Sequence, residues 1–382
     1  MNIWNILQRI RLSWKMLTQG LPFYHAMIDK GYDVYLNHHK IIHWRDGFPV
    51  YTMGSPALFS KPLANFIMRN AYGVIQNRVL PNLMSFAITA DCTLHCPQCS
   101  FADIAKATAQ PTLTLEEQKK ALRAAQDMGV SVINLTGGEP LSCPHLDDLL
   151  RAIDKDLSTV VLFTSGLDLE ARAPALRRAG LDGVYVSIDE PEPEVHDLHR
   201  GRKGLFERAM RGIEAARRAG LTVGLSVCAF PDSVKSGKLE RLVELGRARG
   251  VHEIVIFSAA PSGKLKGRQD LCQTDWVEEI VAFSERYRED PRSPGLLVYN
   301  HNASWRGLGC SGGTRWFFLD PYGNVNPCDF NHLKVGNIRE EPLYRIWDRM
   351  TAMPPFQRTT WTGCKLRDPR FREGDLKQYI NP

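Results

Sequence analysis

Cys92, Cys96 and Cys99 stand in "ADCTLHCPQCSF" (residues 90–101) with the spacing C-x3-C-x2-C. Three thiols within eight positions suit three chemistries. A zinc site needs a fourth ligand, and within the stretch only His95 is at hand. A redox pair would use Cys96 and Cys99 and leave Cys92 idle. An iron–sulfur cluster on three thiolates would leave one iron open to a ligand other than protein. A second stretch, "GGEP" (137–140), also carries chemistry. Gly137 and Gly138 let a ligand approach the backbone closely, and Glu139 offers an acceptor to an ammonium group. A plain turn would use the same residue types.

The elements that must hold these stretches show a clear rhythm. Short apolar runs fall at "LMSFAIT" (83–89), "SVINLT" (131–136), "TVVLFT" (159–164), "GVYVSI" (183–188), "TVGLSV" (222–227) and "EIVIFS" (253–258). Amphipathic helical patterns lie between them, such as "LFERAMRGIEAARRAG" ending at Gly220. Strand–helix alternation predicts a parallel sheet, open or closed into a barrel. Chemistry gathers beyond the carboxyl ends of such strands. The cysteine stretch follows the first strand and "GGEP" the second, so both fall where a site is expected.

The flanks differ. Ile3, Leu7, Ile10, Trp14 and Leu17 form one apolar helical stripe beside Arg9, Arg11 and Lys15. It suits docking on the protein's own core or, through residues 2–18, lying in a membrane surface. Residues 34–52 alternate as strands with a turn at Arg45-Asp46-Gly47. His38, His39 and His43 in that segment lack a completing metal motif. A helix is expected near 59–78. Beyond residue 260 the rhythm stops, leaving a helix near 274–289, a hairpin at 315–326, and Cys310, Cys328 and Cys364. Three regions result: an extension (1–82), a core (83–270) and a C-terminal region (271–382).

Composition bounds the function classes. The chain has 382 residues, 43% hydrophobic and 24% charged, with a formal net charge of +6. Lysines and arginines are interspersed with acids, and no basic tract marks a nucleic-acid footprint. Nine cysteines, an odd number with three clustered, do not read as a disulfide framework. With no export signal evident, they favour a reducing cytoplasm, with peripheral contact on the inner membrane face through residues 2–18 as the extension of that reading. No apolar run approaches the roughly 18–20 residues that cross a bilayer.

Together, C-x3-C-x2-C after the first strand and GGEP after the second resemble the radical S-adenosylmethionine superfamily, over residues 83–260. The resemblance implies a partial (βα)6 TIM-like barrel with an N-terminal helical and hairpin extension and a small C-terminal auxiliary-cluster domain. It implies that Cys92, Cys96 and Cys99 hold three irons of a [4Fe–4S] cluster whose fourth iron chelates the amino and carboxylate groups of S-adenosylmethionine. Glu139 would accept from the methionine amino group beside Gly137 and Gly138. Ser165 takes the place of a common Asn. Ser187 and Asp189 would contact ribose or methionine, and Arg200 would pair with the methionine carboxylate. The implied reaction is reductive cleavage of the sulfonium, followed by hydrogen abstraction from an unactivated C–H bond. The residue before the third cysteine is usually aromatic in this family and packs near the adenine; here it is Gln98.

Cys310 and Cys328, spaced C-x12-G-x4-C, resemble the start of the SPASM and twitch auxiliary-cluster domains, as do "PSGKLKG" (261–267) and "KVGNIREEPLYRIW" (334–347). That pattern usually continues with a C-x2-C, and this chain offers only Cys364. Either three thiolates leave an open iron for substrate, or a fourth ligand such as Cys272 comes from elsewhere. Cys143 and Cys228 read as core residues. The expected activity is that of a radical enzyme fed by a reducing partner such as flavodoxin or ferredoxin. Its substrate is expected to be membrane-held (lipid or isoprenoid) or a small metabolite, with peptide or protein maturation as the alternative. An iron–sulfur scaffold without catalysis is the reading the intact motifs argue against.

Overall fold

The computed structural model describes residues 36–38, 40–105, 110–357 and 363–372. The amphipathic stripe at 2–18 lies outside them. Ten strands share one sheet in the order β12-β11-β10-β3-β4-β5-β6-β7-β8-β9. Six of these are β3 (Leu83–Ala87), β4 (Val132–Thr136), β5 (Thr159–Thr164), β6 (Gly183–Ser187), β7 (Thr222–Ala229) and β8 (Glu253–Ser258). They pair in parallel, each with the next along the chain. This is the expected (βα)6 rhythm. A further parallel strand, β9 (Gly295–Val298), extends it beyond β8.

Alternation along each strand separates two apolar layers. Met84, Phe86, Ile133, Leu135, Val160, Leu162, Val184 and Val186 are buried in the main core cluster. Val161, Tyr185, Val255 and Leu297 form a separate cluster with Met53. The connecting helices are locally encoded. Thr114 and Glu117 make a reciprocal capping box at the start of Leu115–Asp127, and left-handed Gly180 and Gly250 close Leu169–Ala179 and Lys238–Arg249.

The hairpin of β1 (His43–Arg45) and β2 (Phe48–Val50) turns through Asp46 and Gly47, both at positive φ, as the turn residues predict. It binds the amino ends of the barrel strands. His43 Nδ1 lies 2.9 Å from Thr222 Oγ1, its ring lies 4.2 Å from that of His252, and Arg45 approaches Asp182 at 3.6 Å. Just after it, Met53 plugs the floor. A Cβ on Gly183 would come within 2.6 Å of Met53 Sδ, and one on Gly224 within 2.7 Å of its Cε. The Met53 amide and the Tyr185 hydroxyl both donate to buried Glu253, whose carboxyl is pushed up by burial.

The C-terminal region is not a separate layer. β10 (Trp316–Leu319) runs parallel to β3, pairing Trp316 with Leu83 through Leu319 with Phe86. β11 (Asn324–Asn326) and β12 (Gly336–Asn337) then extend that edge antiparallel. The strand is apolar on both faces: Phe317 and Leu319 join the main core, and Phe318 packs with Ala87 and Ile104.

Candidate active site

The cysteine loop leaves β3 and is clamped from two sides. The Gly138 amide donates to Thr89 O (2.9 Å) and the Glu139 amide to Asp91 O (2.7 Å). A Cβ on Gly137 would lie 2.5 Å from Thr89 O, and one on Gly138 only 2.1 Å from Asp91 O. The two glycines therefore let the cysteine loop pack on this turn, in addition to any role toward a ligand. On the other side the Lys264 amide donates to Cys99 O (3.1 Å) and its Nζ to Cys96 O (2.8 Å).

Cys92, Cys96 and Cys99 line one cavity of about 410 Å³ together with Gly137, Gly138, Glu139, Ser165, Ser187, Asp189 and Arg200. The carboxyl ends of the strands thus gather every site residue expected from the first two motifs. Burial pushes the Cys92 and Cys99 thiols up, outweighing the nearby Lys264 charge at Cys99. Among the described residues no trio of His, Cys, Asp or Glu converges on a single metal ion. Three thiols spread around a cavity suit a multi-iron cluster instead.

Several residues have different partners from those expected. Glu139 is buried, and both carboxylate oxygens are occupied: Oε1 by the Leu141 amide (3.1 Å) and Thr164 Oγ1 (2.5 Å), Oε2 by the Ser165 amide (2.8 Å) and Oγ (2.6 Å). Ser165 thus faces Glu139, and Thr164 is a member of the site that the sequence reading missed. An ammonium group would replace one of the two hydroxyls, which can rotate away. Asp189 already has protein partners in the cavity wall. Its oxygens take Arg200 Nη2, Gln98 Nε2 (2.6 Å) and the Cys228 amide (2.8 Å). Arg200 Nη1 also reaches Cys96 Sγ at 3.6 Å. Cys228 lines the cavity wall; only Cys143 is plain core. Two buried atoms in this wall, Arg200 Nε and Gln98 Oε1, have no protein partner. A donor and an acceptor left over beside a cavity are what a polar cofactor satisfies, so the residues present fit S-adenosylmethionine and a cluster.

Cys310, Cys328 and Cys364 come from three separate segments and line one smaller chamber of about 50 Å³ with Ser311, Asn300 and Arg367. Burial and mutual proximity push the Cys328 and Cys364 thiols up. Cys272 does not join them. Its Sγ makes only weak contacts, at 3.9 Å, to Arg268 O and Gln269 Oε1, so it is not placed as a fourth ligand.

Between the two thiol groups lies Asp329, which sequence reading missed. Its backbone neighbour is Cys328, and its side chain lines both the main cavity and an inner chamber of about 160 Å³. That chamber is lined by residues of seven strands, among them Ser85, Asn134, Phe163, Tyr185, Phe257 and Trp316. Trp316 Nε1 donates to Ser85 Oγ (3.1 Å), and the Ser85 hydroxyl bonds the Asp329 carboxyl. Asp329 Oδ2 is buried without a partner, and burial pushes the group up to about 7.

A curved parallel sheet with a three-thiol loop after its first barrel strand defines the radical S-adenosylmethionine class of enzymes. The model of the radical SAM superfamily matches residues 86–235, and that of an iron–sulfur cluster-binding domain, SPASM, matches residues 310–371. The chain belongs to this superfamily and carries a SPASM region. AdoMet-dependent heme synthase of Methanosarcina barkeri is 28% identical over 316 residues, covering 77% of this chain and 87% of its own. PqqA peptide cyclase of Rhizobium meliloti is 29% identical over 298 residues, covering 74% and 78%. Streptococcus suis SuiB bound to S-adenosylmethionine superposes with a TM-score of 0.61 at 15% identity, covering 84% of this chain and 81% of that one. SuiB bound to its precursor peptide SuiA gives 0.58 at 18% identity, covering 77% and 70%.

Proposed function

We propose that this radical enzyme modifies an amino-acid side chain within a peptide or protein. The observation that carries this reading is the 160 Å³ chamber beside the cofactor cavity. A cavity of about 150 Å³ holds a benzene-sized molecule, so the chamber takes one side chain rather than a macrocycle. Asp329 gives it a polar lining residue, and Phe163, Phe257 and Trp316 give it apolar walls. The names of PqqA peptide cyclase and of the SuiB–SuiA complex support the same class. A tetrapyrrole is the second reading, favoured by the coverage of the heme synthase relative. The lipid reading rested on residues 2–18, which lie outside the described structure. Among the described residues no helix is long and apolar enough to cross a membrane.

Cys92, Cys96 and Cys99 would hold the first cluster and Cys310, Cys328 and Cys364 the auxiliary one. When bound, the first cluster and S-adenosylmethionine supply one-electron cleavage of a carbon–sulfur bond and a strong hydrogen acceptor. The chain's own residues bind and orient. Asp189 fixes Arg200 and Gln98, which line the cofactor cavity together with Ser187. Glu139, released from a hydroxyl, takes the ammonium. Phe257 and Phe330 line both thiol-bearing cavities and screen the reacting carbon from water. Asp329 holds a donor of the substrate side chain.

The test supplies anaerobically reconstituted enzyme, S-adenosylmethionine and dithionite with either peptides from deuterated cells or a deuterated tetrapyrrole. Deuterium carried into 5′-deoxyadenosine from the peptides supports the proposal. Transfer from the tetrapyrrole alone overturns it in favour of the second reading.

A further inference from the structure

Three residues past Cys364, where a C-x2-C would place its second thiol, the chain has Arg367. Its side chain is buried, with 5% exposure. It forms no ion pair with any described residue. Nη1 donates to Leu271 O, Nη2 to Ala259 O (2.7 Å) and Ser258 O (3.2 Å), and the guanidinium lies 4.8 Å from the centre of the Trp276 ring. Nε–H is buried and has no acceptor. The charge is thus surrounded by carbonyl dipoles, an aromatic face and thiols and, among the described residues, by no carboxylate. Such a group is costly to bury unless an anion joins it.

The anion is indicated by the neighbours. Arg367 lines the same chamber as Cys310, Cys328 and Cys364. A cluster held by thiolates carries net negative charge, and its reduction potential depends on charge and on hydrogen bonds to its sulfurs. We propose that Arg367 is the counter-cation of the auxiliary cluster, donating Nε–H to one of its sulfurs and raising its reduction potential. Adding one electron makes the cluster one unit more negative, and a fixed positive charge alongside favours that form. The guanidinium occupies the place of a ligand and supplies charge instead of a bond to iron. This rests on the cluster-binding character of the C-terminal region and not on the peptide substrate, so failure of the peptide test leaves it standing.

The test compares the full chain, reconstituted anaerobically, with Arg367→Lys and Arg367→Gln. Iron and sulfide per chain are measured, and the potential is read by dithionite titration of the paramagnetic signal that S-adenosylmethionine does not alter. At the wild-type midpoint, Arg367→Gln should shift the oxidised-to-reduced ratio at least about tenfold toward oxidised, with Arg367→Lys closer to wild type. A cluster that loads beside Lys but not beside Gln supports the same role. Equal loading with equal potentials overturns it. So does equal loss of the cluster in both variants, the result expected of an arginine that only ties three carbonyls together.

Discussion

Arg200 bridges Asp189 and Cys96: one guanidinium nitrogen grips the buried carboxylate while the other reaches the thiol at 3.6 Å. Asp189 therefore acts through the arginine and through Gln98, and it holds the end of β6 to the cysteine loop. Removing it would leave a buried guanidinium without its anion. Asp189→Ala should destabilise the apoprotein by about 3–5 kcal/mol, and Asp189→Asn by less. Urea midpoints of the two variants against the parent check this; a parent-like midpoint for Asp189→Ala would refute the role given to the pair, and equal losses in the two would show that it contributes charge rather than shape.

Gly138→Ala should lose the first cluster while keeping the second. Its new Cβ would meet Asp91 O at 2.1 Å and drive the cysteine loop outward. Because the obstacle is backbone, no side-chain rotation relieves it. Iron content should fall by the share of one cluster, and the signal unaffected by S-adenosylmethionine should persist. Full iron loading in the variant would refute the packing role given to this glycine.

Asp329→Asn keeps the shape of the side chain and removes its charge. Cleavage of S-adenosylmethionine without substrate should stay within about twofold, since the first cluster's loop does not depend on this residue. Turnover of the substrate should fall about 10–100-fold, the loss of one hydrogen bond to a charged group. Rates of 5′-deoxyadenosine formation with and without substrate separate the two effects. A matching fall in both would place Asp329 in cofactor binding instead.

The floor of the barrel should make stability depend on pH. Burial lowers His252 to about 4, and it lowers His43 as well, with the rings 4.2 Å apart. His252 Nδ1 accepts from the Val223 amide at 2.9 Å, which requires an unprotonated nitrogen. Between pH 6.5 and about 4 the unfolded chain binds a proton that the folded chain refuses. Stability is therefore fully present above pH 6.5 and is lost as pH falls through that window, by an amount of order 2–3 kcal/mol for His252. His252→Asn keeps an acceptor without titrating, and its urea midpoint should change less between pH 7.5 and 5.

Much of this was legible before the structure because the signals are local. The six barrel strands follow runs of β-branched and apolar residues, and their observed limits agree with those runs to within two residues. The three-thiol stretch and GGEP fall at strand ends because the parallel rhythm puts them there. What could not be read depends on contacts between distant segments. Nothing near Trp316 in sequence shows that β10 joins β3. Asp189 looked like a ligand contact because its protein partners, Gln98, Arg200 and Cys228, span 131 positions of the chain. In the sequence Asp329 is simply the residue after a cysteine. Its signal, a carboxyl beside the chemistry with one oxygen unpartnered, exists only in three dimensions.

The pairing of β10 with β3 has a consequence for access. Cys328 follows β11, which pairs with one edge of β10, and Cys92 follows β3, which pairs with the other edge, so both lie in loops leaving strands of one hydrogen-bonded sheet. Four residue pairs in register fix their separation like marks on a ruler. A hinge between the two regions would have to break those pairs, so the shared sheet resists their separation. Admission and release of a substrate are then expected at the loops of the rim rather than by separation of the two regions.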